Sequence, residues 1–150
     1  MAYWLMKSEP ETFSIDDLEK IKTEHWDGVR NYQARNFMKA MKKKDFVFFY
    51  HSNCTPPGIV GVAEVSKEFY PDHTSFDKNS EYYDPKSTPE KPRWFMVEVT
   101  FKEKFKNIIS LDQLKEEKKL EDLALVKKGN RLSVMPITEH QWKTILELKS

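Results

Sequence analysis

The sequence predicts an α+β domain in which a strongly bent, barrel-like sheet is surrounded by short helices. Three observations predict it. Short apolar segments rich in aromatic and β-branched residues are interspersed with short stretches of helical periodicity. Three of those helical stretches open on a recognisable capping pair, and none is long. No internal repeat, low-complexity tract or linker divides the 150 residues, so 1–150 is expected to form one domain large enough for a real core. A third of the residues are charged, but 13% are aromatic, and that supply of burial area argues against disorder.

Taken in order, Ala2 to Met6 is an apolar, aromatic strand ended by Lys7-Ser8-Glu9-Pro10. Ser14 with Asp17 three residues on forms a capping box, and Ile15, Leu18 and Ile21 stripe one face of the helix it starts. Trp26-Asp27-Gly28 marks a turn. Asn31 is placed to cap a second helix, whose Ala34, Phe37, Met38 and Met41 face the core while Arg35, Lys39 and Lys42 share another face. Asp45 to Ser52 is β-prone and apolar on both faces, as in a central strand, with polarity only at its end.

A Pro-Pro turn leads to a strand over Ile59–Ser66, where Gly61 predicts a bulge or a close approach to the backbone. Lys67 to Pro92 is irregular but too aromatic for a linker, and predicts an ordered excursion packed on the domain. Arg93 to Phe101 alternates as a strand should, with a ragged strand after it over Lys102–Ile109. Ser110 with Gln113 caps another helix, and Gly129 stops a short segment over Leu120–Lys128. Arg131 to Met135 is a strand ended by Pro136, and Thr138 with Gln141 caps a last helix striped by Trp142, Ile145 and Leu146.

The net charge of +1 excludes a generic polycation, yet the charge is uneven. Between 26 and 44, Arg30, Arg35, Lys39, Lys42, Lys43 and Lys44 face Asp27 alone, an excess of five that leaves the remainder at −4. A basic patch on an acidic body implies a directed anionic partner. One cysteine, Cys54, rules out an intrachain disulfide and fits a reducing compartment. With neither a charged leader before the first apolar run nor a segment of membrane-spanning length, a soluble cytoplasmic protein is expected, nuclear if eukaryotic.

His25, His51, His73 and His140 are scattered without ligand spacing, and four glycines cannot build a phosphate-cradling loop, so no metal and no cofactor is expected. His51 and Cys54 are the one nucleophile–base pair to weigh, which leaves an enzyme acting on a nucleobase or nucleotide as an alternative. The aromatic excursion leaves a protein-interaction module as another. Nucleic-acid binding has more support. Arginine forks and lysines suit phosphates. Asn31, Asn36, Ser52 and Asn53 could read a base, and Trp4, Trp26, Tyr50 and Trp94 could stack on one, although core packing is the commoner role of such aromatics.

Seven segments then resemble, in order, the EVE domain family: YWLMKSEP, WDGVRNYQARN, VFFYHSN, PPGIVGVAEV, YPDHTSFD, PRWFMVEV and RLSVMPIT. The likeness is greatest to stand-alone EVE proteins. It implies a PUA-like fold, related to the YTH and ASCH domains, and a non-catalytic module that inspects a modified nucleobase. Modified cytosine, such as 5-methylcytosine in DNA, is the leading candidate, with RNA also open and a monomer expected. Carried over by residue, the base pocket gathers Lys7 and Ser8, Trp26, Gly28, Val29 and Asn31, His51 and Ser52, and Arg131, Leu132 and Ser133. Trp26 is assigned the stacking face. Arg30, Arg35, Lys39, Lys42, Lys43 and Lys44 are assigned the phosphates, and no residue is assigned catalysis.

Overall fold

The computed structural model describes residues 1–149. Its strands β1 (Tyr3–Ser8), β2 (Thr23–His25), β3 (Phe46–His51), β4 (Gly58–Pro71), β5 (Phe95–Ser110) and β6 (Val134–Ile137) form one bent sheet in the spatial order β2-β5-β4-β3-β1-β6. Around it pack the short helices α1 (Ile15–Ile21), α2 (Tyr32–Ala40), α3 (Leu111–Glu116) and α4 (Glu139–Glu147). The mixed class and the bent sheet are those the sequence predicts.

β1 and β3 run parallel, Tyr3 opposite Phe46 through Ser8 opposite His51, so a crossover must join them. That crossover holds α1, β2 and α2. The other ladders are antiparallel. Period-two alternation then divides the core between the two faces of the sheet. Trp4, Met6, Val47 and Phe49 point to the side covered by Ile15, Leu18, Ala34 and Met38. Leu5, Phe48 and Tyr50 point to the side covered by Leu114, Trp142 and Ile145. β3 is apolar on both faces because it lies inside the sheet, between β1 and β4.

All three predicted capping boxes form: Ser14 with Asp17, Ser110 with Gln113, and Thr138 with Gln141. Asn31 caps α2 by accepting from the Ala34 N–H at 2.9 Å. A side-chain cap contributes about 1 kcal/mol, which matters for helices as short as these. α2 stops at Ala40, so Met41 and Lys42 lie beyond it and Lys42 does not extend its basic face.

The strands differ from the sequence expectation in length. β4 runs on to Pro71, and the two segments predicted after residue 93 are one strand, β5. Their ladder absorbs several register shifts, and such irregularities bend a long hairpin. β2 has three residues, too few for periodicity to reveal. Pro136 lies within β6, which tolerates it as the end strand of the sheet order.

Gly61 sits at one of these shifts, and a Cβ there would collide with the Glu103 carbonyl and lie 2.9 Å from Ile15 Cδ1. Gly61→Ala is therefore expected to destabilise the fold by about 1–3 kcal/mol, the usual cost of overpacking. The measurement is urea unfolding, with a lower midpoint and an unchanged slope. A wild-type midpoint would show that β5 and α1 can yield there.

Candidate functional site

Three strand ends meet at one place. Because β1 and β3 are parallel, Lys7-Ser8 and His51-Ser52 leave the sheet side by side, and Ser52 N–H donates to Ser8 O at 3.0 Å. β6 runs antiparallel to β1, so its approach brings Ser133 to the same end, where Lys7 N–H donates to Ser133 O at 2.8 Å. The Ser8 hydroxyl donates to Phe13 O at 2.7 Å and draws in the loop before α1. From the other side comes the turn after β2, anchored by Trp26 N–H on Val97 O at 2.7 Å. Between these pieces lies a cavity of about 650 Å³, within the ordinary range for ligand sites. Lys7, Ser8, Ser52, Arg131 and Ser133 line one part of it, Glu9, Thr12 and Phe13 another, and His25 to Val29 a third.

The remaining wall is Tyr82, from the excursion between β4 and β5. Gly28 has φ +79°, and a Cβ on it would lie 2.7–2.9 Å from the Tyr82 ring. Glycine here serves both the left-handed backbone and the flat contact with the aromatic.

Arg30 and Asp72 fasten that wall. Asp72 is fully buried, and its carboxylate accepts from Gly28 N (2.8 Å), Arg30 Nη1 (3.0 Å), Thr74 N (2.9 Å) and Thr74 Oγ1 (2.5 Å). Arg30 also donates from Nε and Nη2 to Tyr82 O (3.1 and 2.8 Å), from Nη2 to Thr74 Oγ1 (3.2 Å) and from Nη1 to Val29 O (2.9 Å). Its guanidinium lies over the rings of Tyr82 and Trp94, 5.5 Å from each. Burial raises the Asp72 carboxyl, but the bonds from Thr74, Gly28 and Arg30 outweigh it and hold the group below its usual range.

Two charges in the cavity wall are less well compensated. Burial lowers the Lys7 ammonium, which makes no ion pair among the described residues and lies 5.7 Å from the Tyr50 ring. Burial, with the Asp72 carboxylate adding to it, raises the Asp27 carboxyl, which faces His25 Nε2 at 3.5 Å. The cavity thus offers a cationic donor, an anionic acceptor, serine hydroxyls and aromatic walls.

Of the residues assigned to the base pocket, Lys7, Ser8, Trp26, Gly28, Val29, Ser52, Arg131 and Ser133 line this cavity. Asn31, His51 and Leu132 are not among its lining residues. Asn31 is occupied as the α2 cap. His51 Nε2 accepts from Ile15 N–H at 3.1 Å and so holds the start of α1, and burial keeps the ring below its usual pKa despite Asp16 and Asp17. Leu132 packs against the cores on both sides of the sheet.

Trp26 does not offer an open stacking face. Only 8% of it is exposed, and its ring meets Phe49 edge-on at 5.4 Å, so it floors the cavity from within the core. Tyr82, Phe13 and Asp27 were missed by sequence reasoning. Tyr82 lay in the excursion already marked as aromatic, but nothing in its spacing distinguished it from Tyr83.

None of the residues assigned to the phosphates lines the cavity. Arg30 turns all of its N–H donors inward. Arg35 donates to Arg93 O at 3.0 Å and to Asn36 Oδ1, with its guanidinium 4.8 Å from the Tyr32 ring. Lys39 lies 4.8 Å from the Phe95 ring on exposed α2 surface. Lys42, Lys43 and Lys44 precede β3, whereas the cavity lies past its far end. A six-residue strand spans about 17 Å, so the triplet is not at the mouth.

The model of the family described as "EVE domain" matches residues 2–148. Rat thymocyte nuclear protein 1 is 48% identical over 166 residues, covering 98% of this chain and 73% of that protein. A Pseudomonas syringae protein of known crystal structure superposes with a TM-score of 0.96 at 53% identity, covering 98% of this chain and 99% of that one. Human THYN1, crystallised in complex with 5-methylcytosine-containing DNA, superposes with a TM-score of 0.94 at 44% identity, covering 99% and 97%.

As a core residue, Trp26 should cost about 3–5 kcal/mol of folding stability when truncated to alanine. Thermal or urea unfolding of Trp26→Ala tests this. A variant with near-native stability but weakened oligonucleotide binding would restore the open stacking role.

Proposed function

The chain belongs to the EVE domain family, and from that footing we propose that it is a non-catalytic module that binds DNA and holds one modified cytosine in the cavity between the ends of β1, β3 and β6. The observation that carries this reading is the cavity itself: aromatic walls beside a half-buried cation and anion, in a fold so similar to a protein crystallised with 5-methylcytosine DNA. A base inside a duplex hides its ring faces and pairing edge, so the nucleotide must be turned out to be tested. Tyr82 then supplies the stacking face. Asp27 accepts from the exocyclic amino group of cytosine, the pairing that carboxylates make with this base. Lys7 and the hydroxyls of Ser52 and Ser133 donate to its ring nitrogen and carbonyl.

The thiol-enzyme alternative gains no support. His51 Nε2 is occupied by Ile15 N–H, and Cys54 Sγ donates weakly to Pro56 O at 3.6 Å. No helix among the described residues is long and apolar enough to cross a membrane. A monomer working in the cytoplasm, or in the nucleus of a eukaryote, belongs to the same proposal.

The test is an anisotropy titration with oligonucleotides that differ by one 5-methyl group. Tighter binding of the methylated strand by about 1–3 kcal/mol is expected, the worth of one methyl in a fitted slot. Equal affinities would remove 5-methylcytosine as the ligand. Asp27→Ala should weaken both oligonucleotides without lowering thermal stability, because the folded protein disfavours that carboxylate. The sign follows from its raised pKa: at neutral pH the charged form is less stable in the folded state than in the unfolded one. A large drop in melting temperature would make Asp27 a structural residue instead.

A further inference from the structure

Arg30 is turned inward, and Lys42, Lys43 and Lys44 lie before the start of β3, at the end away from the cavity, so these four residues leave the cavity mouth without a phosphate contact. An extruded nucleotide keeps a phosphate on each side, and both must lie beside the pocket mouth. One exposed cationic segment adjoins that mouth: the turn that carries Lys127, Lys128 and Arg131 into Ser133, where Arg131 and Ser133 are lining residues.

The turn is held at both ends. Before it, Leu125 is buried, and Lys127 N–H donates to Ala124 O at 3.1 Å. After it, Val134 is buried in β6. Within it, Asn130 N–H donates to Lys127 O at 3.2 Å, and Leu132 N–H donates to the Asn130 side chain, also at 3.2 Å. Gly129 takes φ +80° with nothing within 4 Å of an added Cβ, so the backbone reverses in open space. Lys127, Lys128 and Arg131 are exposed and form no ion pair among the described residues, whereas Lys42 faces Glu68 at 4.0 Å.

We propose that the 127–131 turn is the phosphate clamp of this protein, gripping the DNA backbone beside the extruded nucleotide. The proposal rests on the base-binding reading above. Lys127 and Lys128 act as point charges on flanking phosphates, and Arg131 reaches from the rim toward the phosphate nearest the base. Such contacts set the position of the strand and carry no information about the base.

The experiment compares wild type, Lys127→Ala/Lys128→Ala and Lys42→Ala/Lys43→Ala/Lys44→Ala on two duplexes, one with a single 5-methylcytosine and one plain, across a salt series. Each phosphate contact contributes about −0.9 to the slope of log affinity against log salt. The clamp variant is expected to lose about 1.8 of that slope, and to lose the same factor of affinity on both duplexes, while the triple variant keeps the wild-type slope. Preference for the methylated duplex with an unchanged slope in the clamp variant would overturn the clamp and leave the base-binding reading standing, as would a loss confined to the triple variant. Wild type that binds neither duplex would overturn both.

Discussion

The buried Arg30–Asp72 pair is the constraint on which the site depends. It joins two segments more than 40 residues apart, the turn after β2 and the excursion before β5. Taking two charges out of water is expensive, and their attraction offsets that only when every remaining donor and acceptor is satisfied. Here Asp72 also holds Gly28 and Thr74, and Arg30 also holds the Tyr82 carbonyl. A charged knot of this kind is a weak source of net stability but a strict specification of geometry. What it specifies is the position of Tyr82 against Gly28, and so one wall of the cavity.

The cavity is also where the molecule tolerates charges that its fold does not reward. The interiors of β1 and β3 are apolar on both faces, and these two strands turn polar only where they end together. Lys7 and Asp27 lie partly desolvated there, each shifted toward its neutral form by burial. Elsewhere the comparable groups are compensated, Asp72 by its knot and Asp45 by Trp4 Nε1 and the Ala2 and Lys42 N–H groups. Imperfect compensation confined to one cavity is what a binding site needs, because the ligand supplies the missing partners.

Much of the fold was legible because it is written in local chemistry. The capping pairs at Ser14, Ser110 and Thr138 depend on residues three apart, and all of them form. The double-faced apolarity of β3 identified an inner strand. The candidate cavity was legible where it consists of strand ends, and eight of the eleven residues assigned to a pocket line it. What stayed hidden depends on distant partners. Arg30 looked like a phosphate ligand because a sequence shows a guanidinium but not the Asp72, Thr74 and Tyr82 oxygens around it. The lysine triplet looked adjacent to the pocket because it is adjacent in sequence, yet the length of β3 intervenes. Tyr82 owes its place to that same knot, which no periodicity encodes.

Arg30 positions Tyr82, and its N–H donors are taken by Tyr82 O, Val29 O, Asp72 and Thr74 Oγ1. Arg30→Lys tests that positioning role most directly, since lysine keeps the charge but cannot make the forked set of bonds. The measurement is the salt dependence of oligonucleotide affinity, compared with that of Tyr82→Ala. Arg30→Lys is expected to lose affinity as Tyr82→Ala does, about 1–3 kcal/mol for a stacking contact, with the wild-type salt slope retained. Affinity and salt slope both unchanged in Arg30→Lys, the result expected of a cation that only meets a phosphate, would contradict that role.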